Sequence, residues 1–159
     1  MPIIKSSNKV VYFSHIPRCG GSSVEDYLQS LALVGVAFLD RTFDLRYSSR
    51  ANSPQHIYGQ DLARLFPMDF FDDYFTVVRY PISRFQSAFY FNQTTQKTID
   101  SNIGINEFIS DLCVDSVSEY GFYDGHFAPQ SQFLYPNVQY RFFRLEEALL
   151  HKSREGFIL

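Results

Sequence analysis

The sequence contains no tryptophan, only two cysteines and only four histidines in 159 residues. Two cysteines, Cys19 and Cys113, are too few for a disulfide framework and are not spaced as metal ligands. With the histidines scattered and no C-x-x-C pair, no metal centre is expected. Met1 to Lys9 holds no long apolar run, so it is not a secretory signal, and no uncharged stretch reaches membrane-spanning length. A soluble cytoplasmic protein is the default reading. There is no excess of positive charge either: a net charge of −3 gives no general attraction to nucleic acid or to an anionic membrane. Anion binding must therefore come from local arginines. The phosphate-loop signature G-x-x-x-x-G-K-[ST] is also missing.

Aromatic residues are abundant instead. With 17 Phe and 11 Tyr in a chain that is 45% hydrophobic, there is ample material for one core, which excludes global disorder. The length suits a single domain over 1–159. The last helical pattern begins at Leu145, close to the end, which leaves room for a further C-terminal portion.

Strand and helix patterns alternate along the chain. Val10-Val11-Tyr12-Phe13 reads as a buried strand, followed by a helix with Val24, Tyr27, Leu28 and Leu31 on its apolar face. Ala32 to Leu39 reads as a helix end and a short strand, and Asp40 to Pro54, with Arg41, Arg46 and Arg50, as a surface loop. A short helix over Asp61 to Phe66 stops at Pro67, and Tyr74 to Arg79 is the clearest strand after the first. A long helix then starts near Ile82, with Ile82, Phe85, Ala88, Phe89 and Asn92 at helical spacing, and a polar loop covers Gln93 to Asn102. Ile105 to Cys113 is amphipathic, Asp115 to Gly125 is turn-rich, Val138 to Phe143 is strand-like, and a final helix begins at Leu145. This alternation predicts an α/β fold on a parallel sheet.

Two clusters carry chemistry. Pro17-Arg18-Cys19-Gly20-Gly21-Ser22-Ser23 joins the first strand to the first helix. Its glycines allow positive φ and close approach of a ligand, and Ser22 and Ser23 offer caps to the helix. Backbone N–H groups, the positive end of the helix dipole, two hydroxyls and Arg18 together suit a phosphate or sulfate group. An ordinary strand-to-helix turn is the plainer reading. The second cluster, Arg79-Tyr80-Pro81-Ile82-Ser83-Arg84-Phe85-Gln86-Ser87, puts Arg79 at the carboxyl edge of the sheet, where open α/β folds bind ligands. Ser87 lies within reach of the same anion, and arginine can grip two phosphate oxygens at once. Taken alone, Arg79 reads more readily as half of a salt bridge, and Ser87 as a small residue at a helix crossing.

Together the two clusters resemble those of sulfotransferases that use 3′-phosphoadenosine 5′-phosphosulfate (PAPS), in particular the carbohydrate sulfotransferase branch. The first is similar to that family's P-K-T-G-G-T-S. Arg79 to Phe89 is similar to its R-D-P-x-x-R-x-x-S-x-[YF]. His126-Phe127-Ala128-Pro129-Gln130 resembles its H-x-x-P-Q, and Arg144-Leu145-Glu146-Glu147 its closing strand-to-helix segment. The likeness runs from about Val10 to Leu150. It implies a P-loop-like three-layer sandwich, a central parallel sheet flanked by helices. It further implies that Pro17 to Ser23 hold the 5′-phosphosulfate and that Arg79 and Ser87 hold the 3′-phosphate. Arg18 stands where the family has lysine, and can supply charge and donors though not a proton. Cys19 stands for a threonine and reads as a packed small residue more than a reactive thiol, and Tyr80 stands for an aspartate.

Transfer to a hydroxyl acceptor calls for a general base, and histidine suits neutral pH. His15 precedes the anion loop and reads as structural, while His151, beside Lys152, reads as surface. His56 is the preferred base and His126 the alternative. The acceptor is read as a hydroxyl compound, a glycan or a small molecule, with Tyr58, Tyr90, Tyr120, Phe122 and Tyr123 available to stack on it. Two other readings remain. One is a nucleotide kinase-like phosphotransferase, disfavoured by the missing Gly-Lys-[ST] and by the lack of a strand-end aspartate for Mg²⁺. The other is a non-catalytic nucleotide- or glycan-binding module of the same fold.

Overall fold

The apolar run at residues 10–13 lies at the centre of the sheet in the computed structural model, which describes residues 2–6, 8–31, 35–37, 52–112, 116–118 and 121–147. It belongs to β2 (Lys9–Ser14), where Tyr12 and Phe13 are both 1% exposed. Successive side chains of a strand point to opposite faces. Tyr12 accordingly joins Ile3, Leu62, Phe71, Tyr74 and Tyr135 in one core cluster, while Phe13 stacks on Phe75 at 4.9 Å.

The sheet has five strands in the order β3-β1-β2-β4-β5. The other strands are β1 (Ile3–Ser6), β3 (Gly35–Ala37), β4 (Asp73–Val78) and β5 (Arg141–Arg144). The parallel register is confined to β2, β4 and β5, with Tyr12 opposite Tyr74 and Val78 opposite Arg144. β1 pairs antiparallel with both β2 and β3, so the α/β sheet is mixed at that edge. The parallel part fixes the site, because the carboxyl ends of β2, β4 and β5 emerge on one edge.

Four helices accompany the sheet among the described residues: α1 (Gly21–Ser30), α2 (Gly59–Leu65), α3 (Pro81–Thr94) and α4 (Ile105–Asp111). α2 packs on the Tyr12 face through Leu62, and α3 and α4 meet through Ala88, Phe89 and Phe108. Pro81 occupies the first turn of α3, where its missing N–H costs nothing. None of these helices is long and apolar enough to cross a membrane.

Several expectations shift. β1 was not foreseen, since Ile3-Ile4 alone is too short an apolar signal; its partners β2 and β3 define it. β5 begins at Arg141 rather than Val138, and α3 runs to Thr94, into the expected loop. Ile82 is 60% exposed, and the buried stripe of α3 is instead Arg84, Ala88, Phe89 and Asn92. Residues 145–147 open the last helix. Residues 148–159 with His151 and Lys152, the arginines at 41, 46 and 50, Cys113 and Tyr120 lie outside the described residues.

The start of α2 depends on a glycine. A Cβ on Gly59 would stand 1.7 Å from the backbone oxygen of Leu134. Neither the backbone at Leu134 nor the start of α2 can relieve that contact without moving main chain. Gly59→Ala is expected to cost about 2–3 kcal/mol, within the overpacking range or at its upper end, read from urea midpoints. Gly104→Ala, where nothing lies within 4 Å of the added carbon, should stay within about 1 kcal/mol of wild type.

Candidate active site

The chain leaves β2 anchored by two buried hydroxyls. Ser14 Oγ donates to the carbonyl of Phe133 at 2.6 Å, and Thr76 Oγ1 donates to the carbonyl of Ser14 at 2.8 Å. The loop that follows turns through two left-handed residues, Arg18 (φ 65°) and Gly20 (φ 81°). Gly20 is the N-cap of α1, and no side chain caps the helix, so the caps expected from Ser22 and Ser23 are not formed. Both serines lie inside the first turn and are exposed, Ser22 towards the cleft. Gly21 is required for another reason: its Cβ would fall 2.2 Å from the ring of His15. The Ser23 amide turns back to the Gly20 carbonyl at 3.1 Å, while Gly21 and Ser22, whose amides open the helix, line open space.

That space is a cleft of about 320 Å³ at the carboxyl edge of the parallel strands. Gly20, Gly21, Ser22, Arg18 and Arg79 line one side, and His15, His56, His126 and Asp124 also contribute to its wall. Pro17, Cys19, Ser23 and Ser87 do not line it. Cys19 is buried with Ile16, Tyr58, Ala128 and Phe133, where burial pushes its thiol up to about 11. The S–H donates to Gln130 Oε1 at 3.4 Å, the arrangement of an inert packed thiol. Pro17 is held by its carbonyl, which accepts from Arg84 Nε at 3.0 Å.

Arg18, Arg79 and Ser87 form one cluster. Arg18 Nε donates to Ser87 Oγ at 3.2 Å, its guanidinium lies 4.1 Å from the centre of the Phe91 ring, and Arg79 Nη1 donates to the Arg18 carbonyl at 3.2 Å. Arg79 and Ser87 thus meet through Arg18 rather than directly. Neither arginine forms an ion pair among the described residues, and partial burial followed by the charge of Arg79 lowers the affinity of Arg18 for its proton. Two adjacent guanidiniums without an ion-pair partner among the described residues favour an anion between or beside them.

The three histidines stand ring against ring, His15 to His56 at 5.1 Å and His56 to His126 at 5.5 Å. Their partners give them different roles. His15 Nδ1 meets Glu25 Oε1 at 2.5 Å in a fully buried pair, and burial lowers the pKa of His15 against the pull of that carboxylate. His56 Nδ1 lies 2.7 Å from Asp124 Oδ2, which also accepts from Ser53 Oγ at 2.8 Å. Burial raises the Asp124 pKa, but the bonds and charge from His56 and the bonds from Ser53 outweigh it and hold the carboxyl below its ordinary range. An ionised carboxylate only accepts, so Nδ1 of His56 carries the proton and Nε2 keeps its lone pair.

His126 is the reverse case. Asn92 Nδ2 faces its Nδ1 at 2.9 Å. The amide orientation is fixed because Nδ2 also donates to the Ala88 carbonyl at 2.8 Å, while Thr98 Oγ1 donates to Oδ1 at 2.9 Å. Nδ1 of His126 therefore accepts, and its proton sits on Nε2. Burial first, then the neighbouring His56, pushes its pKa down to about 3. It is a neutral hydrogen-bond donor at physiological pH.

Donor atoms of His56, Asp124 and His126 lie within 4.8 Å of one another, a grouping that a transition-metal ion can draw together. Metal-bound histidines normally pass their second ring N–H to an acceptor. The His56–Asp124 bond already has that form, whereas His126 could bind an ion through Nε2 only if the Asn92 amide turned its oxygen towards Nδ1. The existing bonds suit proton handling better.

Sequence reasoning missed Asp124, Asn92 and Glu25. The Asp124-Gly125 turn directly before His126 was the one available signal for the first. Glu25 is spaced i+4 from Gly21 on a helix read only for its apolar residues, and Asn92 enters the sequence reading only through its helical spacing.

Two buried neutral histidines give stability a pH dependence of known sign. The folded pKa of His126, about 3, lies below its ordinary 6.5, so as pH falls through that interval the unfolded chain binds the proton first. Stability is then lost on acidification, by about 1.4 kcal/mol per pH unit for one such group, and His15 acts in the same direction. Urea midpoints should fall between pH 7.5 and 5.5, and His126→Gln should flatten that fall. An equal slope in the variant would contradict the assignment.

A family model described as the sulfotransferase family matches residues 2–155. Curated proteins and solved structures give no match to the chain. The match covers nearly all of the sequence, including the glycine loop, the Arg79 segment and the His126 segment that together enclose the cleft, and the chain belongs to the sulfotransferase family of enzymes.

Proposed function

We propose that the protein transfers a sulfuryl group from PAPS to the hydroxyl of an acceptor, with carbohydrate as the favoured class and His56 as the general base. The observation that carries this reading is one cleft lined by Arg18 and Arg79, neither in an ion pair among the described residues, and by His56, whose Nδ1 is taken by Asp124 so that Nε2 is left for a ligand. The carbohydrate preference rests on the motif likeness.

The residues present fit a nucleotide with phosphate and sulfate groups. Gly21 leaves the loop open where a side chain would collide with His15, and helix amides, Ser22 and two guanidiniums supply donors. When bound, PAPS supplies a sulfuryl group and a phosphate leaving group, so the chain must position the donor, stabilise charge on the phosphate and accept the hydroxyl proton. Arg18 and the first turn of α1 are suited to the phosphosulfate end. Arg79, with Ser87 one contact away through Arg18, is assigned to the 3′-phosphate. His56 Nε2 takes the acceptor proton. His126, with Nε2–H, is assigned to donate to the acceptor or to a sulfuryl oxygen. This differs from the role of alternative base.

Calorimetry with 3′-phosphoadenosine 5′-phosphate tests the donor. Arg79→Ala should weaken its binding by about 2–4 kcal/mol, through loss of a charge-assisted contact. The analogue lacking the 3′-phosphate should bind both proteins alike. Equal losses for the two nucleotides would remove Arg79 from the 3′-phosphate site, and tighter binding of Mg·ATP would favour a phosphotransferase instead. The base is tested kinetically: His56→Ala should lower kcat by roughly 10²–10⁴ with nucleotide affinity near wild type. An active variant would move the base elsewhere.

A further inference from the structure

Asp124 reaches His56 from an unfavourable backbone. Tyr123 (φ 46°, ψ 38°) and Asp124 (φ 54°, ψ 35°) are consecutive non-glycine residues in the left-handed region, and Gly125 follows at φ 71°. Left-handed residues other than glycine normally occur singly, and such strain persists only where surrounding contacts enforce it. The contacts here are specific. The Tyr123 ring is held among Phe108, Phe122 and Phe127. Asn52 accepts from the amide of Gly121 at 3.0 Å and donates to the carbonyl of His56 at 3.1 Å, stitching the two loops together. The Ser53 amide donates to Asp124 Oδ1 at 2.5 Å, and Oδ2 receives both Ser53 Oγ and His56 Nδ1. Among the described residues every hydrogen bond of the carboxylate is with residues 53 and 56, so the turn delivers this one group to the His56 segment.

We infer that Asp124 is the positioning residue of His56: it holds the proton on Nδ1, leaves the Nε2 lone pair for the acceptor hydroxyl, and stabilises the imidazolium once that proton arrives. This rests on His56 being the base. In the transfer the acceptor oxygen bonds to sulfur, the sulfur–bridging oxygen bond of the donor breaks, and the hydroxyl proton moves to Nε2. Asp124 stays ionised throughout, and the Nδ1 proton does not move.

Asp124→Asn tests the role without changing shape. Asparagine tolerates the left-handed region. Its Oδ1 can keep the Ser53 amide while Nδ2 replaces the oxygen facing His56. Nδ1 must then accept, the imidazole proton shifts to Nε2, and the base is disabled. The expected result is a fall in kcat of about 10²–10⁴-fold with affinity for 3′-phosphoadenosine 5′-phosphate within about threefold of wild type. In ¹⁵N NMR spectra, with His56 assigned by comparison with His56→Ala, the protonated nitrogen should be Nδ1 in wild type and Nε2 in the variant. Retained kcat in Asp124→Asn, when His56→Ala is inactive, overturns this inference alone. Full activity of His56→Ala overturns the reading of His56 beneath it. Should the asparagine variant not fold, the wild-type spectrum decides: an Nε2–H tautomer at His56 refutes the role, and an Nδ1–H tautomer supports it.

Discussion

Arg84 is buried, and among the described residues it forms no ion pair with a carboxylate. Its guanidinium is spent on backbone carbonyls instead: Pro17 at 3.0 Å, Ala128 at 2.8 Å and Gly125 at 3.5 Å. Burial makes its charge costly to hold, and this shows as a lowered pKa. The bonds to charged donors offset part of that cost, and each would leave a buried carbonyl unpaired if lost. One side chain on α3 therefore joins the glycine loop, the turn that ends at Gly125 and the segment after His126. The cleft has walls because these three segments are tied to one another.

Gln130 makes the adjacent tie. Its Nε2 donates to the Arg79 carbonyl at 2.8 Å, and its Oε1 accepts from the Arg79 amide at 3.1 Å and from Cys19. The amide of Gln130 thus copies a strand partner for a residue that has just left β4. This fixes where Arg79 begins its reach over the loop. The division of labour is plain: Arg84 and Gln130 are consumed by backbone and hold the frame, while Arg18 and Arg79 carry charge that the frame does not neutralise. The same motif therefore contains one structural and one uncommitted arginine, spaced five residues apart in sequence.

Local patterns made much of this legible. Val10 to Phe13, the glycine pair, the strand before Arg79 and the proline that opens α3 are all short-range signals, and each element formed where expected to within a few residues. What was hidden depends on partners distant in sequence. β1 is a strand because β2 and β3 flank it. Glu25 is buried because His15 awaits it, and His126 is a donor because Asn92, 34 positions earlier, gives it a proton-bearing partner. Asp124 was the hardest, since its backbone contradicts local preference and only the contacts of Asn52 and Ser53 explain it. Sequence located the histidines; their tautomers needed the fold.

His15, Gly21 and Glu25 fill one space between them. The imidazole occupies the volume that a side chain at 21 would need, and the carboxylate on the next turn of α1 holds the ring there. The three positions are consequently not free to drift one at a time. A larger residue at 21 would need the His15 ring to move aside, and a smaller residue at 15 would remove the hydrogen-bond partner that the Glu25 carboxyl has there. A change at any one of the three positions is therefore felt at the other two.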